Sequence, residues 1–509
     1  MTRVKLNIIA NFLGQGWIYL LQLGLVPIFL AALGAEAYGL VGLFGMLYTA
    51  AMLFDLGIGQ TVSREAARWS STGSGSATPR SLLATFLPLY AALGGLVAGL
   101  IYALAPWIGT HVIDTRALPP AVAIDSIRIM ALAVAFQWLQ GIFLGLLAGL
   151  QRQIAANLFR AAFSTASGLG AVAVLALGTP GPQALFSWYA LASGVGLLAA
   201  AVLCRATLPH DARDHGFRLA VLRPIWRFAL GSSLIGAIGV VLGQADKWIV
   251  LSISRLEDFT HYSIAAAAAM ALYGIAQPVL GALFPRMNAL VAKQDEDTLR
   301  GVYHASTQLV AALSFSMGLC LAMFSREALL LWTRNASVAV GAAPIATVLV
   351  LGTMLNCAMF VPYNLQLAYG WTRLSLYISS VFLIVLVPAG YVLGSRYGPI
   401  GCAAVWLALN AGYFCAGVWL THRKILRGEA MAWYVRDTLP CLLCALLVTG
   451  ACRMLFPTAA SPWVQMALLF LIGVLTLGAC LFAVPQPRGW LLDRAARVRR
   501  RMFRPRQPS

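Results

Sequence analysis

The sequence predicts an all-α integral membrane protein of about 14 transmembrane helices, arranged as two pseudo-symmetric six-helix bundles plus two C-terminal helices. Three observations carry this. Residues 6–35, 81–110, 129–151, 161–204 and 335–372 contain no Asp, Glu, Lys, Arg or His, and roughly 20 consecutive apolar residues cross a bilayer as one helix. Hydrophobic residues fill 60% of the 509 positions and charged residues only 10%, against about a quarter charged in soluble domains. Lys and Arg fall almost wholly in the joins between apolar runs, where they set the orientation of a multi-span chain.

The predicted spans, in order, are 7–33, 38–61, 82–106, 125–149, 154–178, 183–204, 227–253, 261–285, 304–325, 341–367, 374–394, 399–421, 437–456 and 463–484. Span 1 is too long for the apolar core of a cleaved signal peptide. Span 2 ends at FDLGIGQTVSRE, where charge returns. Spans 4 and 7 carry glycines at intervals of four (Gly141, Gly145 and Gly149; Gly239 and Gly243), a pattern that lets helices pack closely. Pro27, Pro278, Pro362 and Pro388 lie inside spans 1, 8, 10 and 11 and mark bending points. Span 13 is the weakest, because Asp437 and Arg453 bound it closely and have to snorkel. Helices are expected throughout, since backbone in lipid must satisfy its own hydrogen bonds. The runs lack the alternation of a membrane barrel. With the N-terminus in the cytoplasm, 27 of the 36 Lys and Arg lie inside and 7 outside, while Arg160 and Lys247 fall within spans.

Other classes fit poorly. The net charge of +19 is spread over loops and tail, not gathered in the patch that nucleic acid requires. The basic tail 488–509 is expected to rest on anionic lipid headgroups. Nine cysteines lie almost wholly in apolar segments, and the Cys441-x-x-Cys444 pair falls within a span. Small packing residues are the expectation there, not a redox or metal site. No nucleophile array, metal cluster or phosphate-cradling glycine loop is evident, so neither catalysis nor a cofactor is expected. The outer loops 107–124 and 326–340 are too short for the catalytic loop of a membrane polymerase or ligase.

The longest polar break, 205–227, divides the chain. The expected organisation is an N-terminal bundle (1–204), a cytoplasmic linker (205–227), a second bundle (228–422), two added helices (423–487) and the basic tail (488–509). The halves echo one another. Asp55 and Arg64 stand nine apart at the end of span 2, and Gln277 and Arg286 stand nine apart at the end of span 8. Parallel repeats of this kind are a transporter architecture, with substrate bound between the halves.

Several motifs resemble those of the bacterial polysaccharide flippases. They are N-x-x-G in span 1 (Asn11, Gly14), LGAEAYGL (33–40), FDLGIGQTVSREAA (54–67) and ADKWIVLSI (245–253). The resemblance covers about residues 5–425. It implies a fold shared with multidrug exporters and peptidoglycan-precursor flippases, and a setting in the bacterial inner membrane with both termini cytoplasmic. It also implies a substrate, an undecaprenyl-diphosphate-linked oligosaccharide turned from the cytoplasmic to the periplasmic leaflet. A polysaccharide polymerase complex is the candidate protein partner, and a monomer is expected because one chain holds both bundles.

Such a substrate needs cations for its diphosphate and polar or aromatic groups for its sugars, because ions lose their hydration in hydrocarbon. Arg64 and Arg286, at matching inner ends of spans 2 and 8, are candidates for bidentate pairing with phosphate. Arg160 lies about six residues, or roughly 9 Å, inside span 5. Lys247 and Asp246 lie about 18 residues along span 7; as helix neighbours about 100° apart, they are not expected to share one contact direction. Asp55 and Asp246 are structural or coupling candidates. For the sugars, the candidates are Gln15, Tyr19 and Gln22 on one face of span 1, Gln137, Trp138 and Gln140 mid-span in span 4, Gln244 in span 7, and Asn356, Asn364 and Gln366 in span 10. The same amides can bond one another across helices. Two alternatives share the fold. A cation-coupled multidrug exporter needs buried midplane carboxylates, and only Asp55 and Asp246 are available. A lipid II flippase of the peptidoglycan pathway places arginines in span 1, which has none.

Overall fold

A computed structural model describes residues 2–55, 57–72, 78–208, 240–371, 373–457 and 460–489. Most of the predicted linker, the start of span 7 and the tail from 490 onward lie outside the described residues, as do the side chain of Asn11 and the whole of Gly239.

The described residues are helical almost throughout, in the order α1 (Thr2–Ala51), α2 (Ile58–Thr72), α3 (Pro79–Trp107), α4 (Pro120–Gly149), α5 (Gln153–Leu177), α6 (Pro182–Thr207), α7 (240–253) and α8 (Leu256–Ala292). Then come α9 (Glu296–Met323), α10 (Ser325–Thr333), α11 (Ala336–Ala358), α12 (Phe360–Ala368), α13 (Arg373–Tyr397), α14 (Pro399–His422), α15 (Ala430–Ala432), α16 (Leu439–Leu455) and α17 (Pro462–Ala483). Among the described residues, twelve stretches are long and apolar enough to cross a bilayer. The chain is a multi-pass membrane protein. Predicted spans 1 and 2 fall in one of the twelve, 14–55, divided at Gly34 (φ 79°, ψ 167°). That backbone conformation is essentially reserved for glycine. Span 7 is described only from residue 240.

Helix ends follow local chemistry. Pro occupies the first turn of α3, α4, α6, α16 and α17, where its missing N–H costs no helical bond. Thr78, Asp295 and Asn335 accept from the backbone N–H of Ser81, Thr298 and Val338 and so cap α3, α9 and α11. The hydrogen bond from Thr298 holds the exposed Asp295 carboxyl below the ordinary carboxylate range. Predicted span 10 divides at Met359 into α11 and α12, just ahead of Pro362, which has no N–H to continue the ladder.

Three expectations are corrected. Span 2 does not end near residue 61: a 3-10 turn at Met52–Asp55 and Gly57 (φ 70°) interrupt it, and α2 continues to Thr72. The segment 326–340, expected to be a loop, contains most of α10. Asp437 does not snorkel; it is fully buried and paired, in a π-helical turn (Trp433–Thr438) that leads into α16.

The chain forms two compact units. The first comprises Met1–Ser263 with Leu383–Gly398, the second Ile264–Phe382 with Pro399–Ser509. The first has a core around Phe86, Tyr90, Trp138, Ile142 and Leu146. The second is built around Tyr303, Val310, Met359, Leu365, Val418 and Trp433. Leu20, Leu177, Leu447 and Phe470 are exposed, as suits helices whose outer solvent is hydrocarbon.

Candidate functional site

In the first unit the interruption of span 2 is held from both sides. Asp55 Oδ1 accepts the Tyr90 hydroxyl from α3 at 2.6 Å and the backbone N–H of Gly59 at 3.4 Å. The carboxylate thus sits at the N-terminus of α2, where backbone donors and the helix dipole favour a negative charge. Two turns further on, Arg64 is 41% exposed, with Nη2 3.2 Å from Glu65 Oε1; Arg68 reaches the same oxygen at 3.5 Å. The glycine interval of span 4 explains how α2 seats. A Cβ on Gly149 would lie 2.2 Å from the Ser63 carbonyl oxygen, and one on Gly145 would lie 3.2 Å from that of Gly59. α4 therefore meets α2 backbone to backbone.

The mid-span polar residues of α4 are engaged in packing. Gln137 donates to Ser193 Oγ at 3.0 Å and Gln140 to the Ser193 carbonyl at 2.9 Å, joining α4 to α6. Trp138 is 1% exposed and stacks on Tyr90 with ring centroids 4.3 Å apart. Gln15, Tyr19 and Gln22, by contrast, are exposed along α1, while Trp17 donates to Thr165 on α5 at 2.8 Å. Arg160 is exposed on α5, its Nη1 3.5 Å from Asn157 Oδ1 and within coulombic range of Tyr48.

On α7, Asp246 Oδ2 accepts the Tyr262 hydroxyl of α8 at 2.7 Å. Lys247 donates to the Gly243 carbonyl at 3.0 Å, and its Nζ lies 3.7 Å from Asp246 Oδ1. The two side chains do not diverge as expected, because the flexible lysine stem folds back along its own helix. Gln244 is half-buried one turn away.

In the second unit Arg286 lines a cavity of about 570 Å³ with Thr298, Ser306, Gln486 and apolar Val279 and Leu283. One wall is a face of α9, where residues at intervals of three and four align. Asn356 accepts the Tyr273 hydroxyl at 3.0 Å and donates to Asn410 at 2.7 Å. Gln366 donates to Thr421 at 2.7 Å and accepts from Ser375 at 3.0 Å, and Asn364 donates to the Phe360 carbonyl at 2.8 Å. These amides join neighbouring helices or brace their own turn. Arg64 and Arg286 belong to different units.

Sequence reasoning missed a buried polar assembly of the second unit. His304 and Gln308 of α9 meet Asp437, and His304 also meets Glu429. The signal was available in Arg300, His304 and Gln308, spaced by four along one helix face. Cys441 and Cys480 are buried free thiols, each donating to the other's carbonyl between α16 and α17. Among the described residues, no group of three or more His, Cys, Asp or Glu is arranged to hold a metal.

The described residues thus define a multi-pass helical membrane protein with an interrupted second span. Residues 4–291 match the family model described as polysaccharide biosynthesis protein, and the chain belongs to that family. Its fold is similar to that of the lipid II flippase MurJ in an inward closed conformation (13% identity, 94% of this chain and 98% of that one, TM-score 0.69). It is also similar to an inward-facing multidrug resistance MATE family transporter of the MOP superfamily (15% identity, 87% and 96%, TM-score 0.62). A MOP superfamily transporter from Pyrococcus furiosus aligns at 17% identity over 87% and 94%, with a TM-score of 0.55. No curated protein matches the sequence. The expected family and the fold shared with exporters and flippases are therefore observed.

Proposed function

We propose that this protein flips undecaprenyl-diphosphate-linked oligosaccharide repeat units from the cytoplasmic to the periplasmic leaflet by alternating access, supplying cell-surface polysaccharide assembly. The match to the polysaccharide biosynthesis family over residues 4–291 carries this reading. On this reading the protein works in a bacterial inner membrane with cytoplasmic termini, as a monomer without a cofactor.

The physical demands of the task fit the chain. A diphosphate and its sugars cannot cross hydrocarbon unaided, and moving them makes and breaks no bond. A polyprenyl tail can stay in lipid while the head is sheltered. The Arg286 cavity pairs one exposed cation with the hydroxyls of Thr298 and Ser306 beside an apolar wall, a chemistry suited to a phosphate attached to a hydrocarbon chain. Arg64 is the corresponding cation of the first unit. The exposed Gln15, Tyr19 and Gln22 of α1 are the better sugar contacts, because the α4 amides already have partners.

Deletion of the gene followed by extraction of polyprenyl-linked sugars tests the reading. The expected result is a completed repeat unit accumulating in the cytoplasmic leaflet, with loss of surface polymer. Unchanged polymer together with altered drug sensitivity would transfer the protein to the exporter class.

A further inference from the structure

The face of α9 that bears Arg300, His304 and Gln308 packs against residues 429–438. His304, 4% exposed, stands between two carboxylates. Its Nδ1 contacts Asp437 Oδ2 and its Nε2 lies 3.2 Å from Glu429 Oε2. Asp437 Oδ1 accepts from Gln308 at 2.7 Å and from Arg436 Nε at 3.3 Å. Arg300 Nε lies 3.3 Å from Glu429 Oε1.

This geometry dictates a proton count. A neutral imidazole has one N–H donor and one bare acceptor nitrogen. Carboxylate oxygens at both nitrogens leave one contact as lone pair against lone pair. The contacts are all satisfied only when His304 carries both ring protons or when one carboxyl is protonated. Either way, the cluster holds one proton more than a neutral histidine with two carboxylates. Arg300 and Arg436 balance Glu429 and Asp437, so the cluster is neutral without that proton and carries one positive charge with it.

We propose that His304, Glu429 and Asp437 form a proton-binding site that couples proton uptake and release to the transport cycle, an inference that rests on the flippase reading. Release leaves His304 with one N–H for two carboxylates, and one contact opens. Asp437 is fully buried and holds two other donors, whereas the Glu429 side chain is 22% exposed. The Glu429 contact is the one that opens, and the proton passes to water there. Gln308 carries the change onward: its Oε1 accepts the backbone N–H of Gln486 at 3.0 Å, and Gln486 lines the Arg286 cavity. The other titratable groups facing the cluster are Tyr303 of α9, His422 and Tyr413 of α14, Tyr434 of the π-helical turn and Cys441 of α16. Tyr303 bonds His422 at 2.8 Å, which ties α9 to α14 through a second polar contact.

The test uses purified full-length protein with 15N-labelled histidine and no substrate. His304→Gln identifies the His304 resonances among the 6 histidines. In the wild type either both His304 ring nitrogens, or one ring nitrogen and one of the two carboxyls, are expected to be protonated at neutral pH, and Asp437→Asn is expected to leave His304 with a single ring proton. A wild-type His304 that is a neutral tautomer at that pH, while the 13C-labelled carboxyls of Glu429 and Asp437 both give carboxylate signals, overturns the site. In proteoliposomes carrying a fluorescent undecaprenyl diphosphate disaccharide, an imposed pH gradient is expected to accelerate wild-type flipping about fivefold, and His304→Gln is expected to lose that acceleration while still flipping without a gradient. Equal acceleration in the variant overturns the coupling. Absence of flipping by the wild type overturns the flippase reading, whereas the histidine and carboxyl signals still decide proton binding on their own.

Discussion

Gly149 and Gly141 lie on one stripe of α4, yet the same substitution should act oppositely at the two. A Cβ on Gly149 would stand 2.2 Å from the Ser63 carbonyl oxygen and 2.8 Å from Ala66 Cβ. The nearest neighbour is backbone, so no rotamer change relieves the clash. Carbon–oxygen contacts settle no closer than about 3.3 Å, so α2 must withdraw from α4 by about 1 Å. Overpacking of this kind costs about 1–3 kcal/mol. At Gly141 the nearest atom to an added Cβ is Tyr90 Oη at 3.5 Å, an ordinary contact. Alanine there gains about 0.5–1 kcal/mol of helix stability over glycine. Gly149→Ala and Gly141→Ala should thus differ by about 1.5–4 kcal/mol. Equilibrium unfolding of the purified protein in mixed micelles of rising SDS content, followed by circular dichroism, measures this. Stabilities within about 0.5 kcal/mol of each other would refute the backbone contact between α2 and α4.

Two further outcomes follow from the same geometry. Tyr90→Phe removes the donor 2.6 Å from Asp55 and should cost about 1.5–3 kcal/mol, as for hydrogen bonds to charged groups; unchanged unfolding in the same assay would mean that this bond does not hold the interruption of span 2. Replacing Arg64 and Arg286 together with Ala should lower polymer export about tenfold or more, a loss comparable to one charged hydrogen bond per site. Membrane abundance, checked by immunoblot, should stay the same, and normal export would discard both arginines as phosphate contacts.

The helical membrane fold was legible because its cause is local. Runs without charge as long as 161–204 fit few solvents other than lipid. The close seating at Gly145 and Gly149 was legible for the same reason, since close approach needs only a missing side chain at fixed spacing; Gly141 shares the spacing but meets only an ordinary contact. The interruption at Asp55–Gly57 was harder to see. FDLG has no proline, and its break depends on a hydroxyl from α3, 35 residues on. Candidate amides such as Gln137 and Gln140 could be placed in depth but not in direction. A glutamine reads alike whether it faces a cavity or, as here, a serine on the next helix. The His304 cluster was hidden because its carboxylates lie 125 and 133 residues away, and because Asp437 looked like the charged edge of a short span. Pairing is what permits that carboxylate to be buried.

The central claim is that this chain moves a lipid-linked glycan between leaflets. Its most direct measurement is the transbilayer distribution of a labelled undecaprenyl diphosphate oligosaccharide in liposomes reconstituted with the purified protein alone. The account predicts that the labelled head becomes accessible in the opposite leaflet at a rate that rises with the amount of protein. A distribution equal to that of protein-free liposomes, in a preparation that transports a cationic drug, would contradict it.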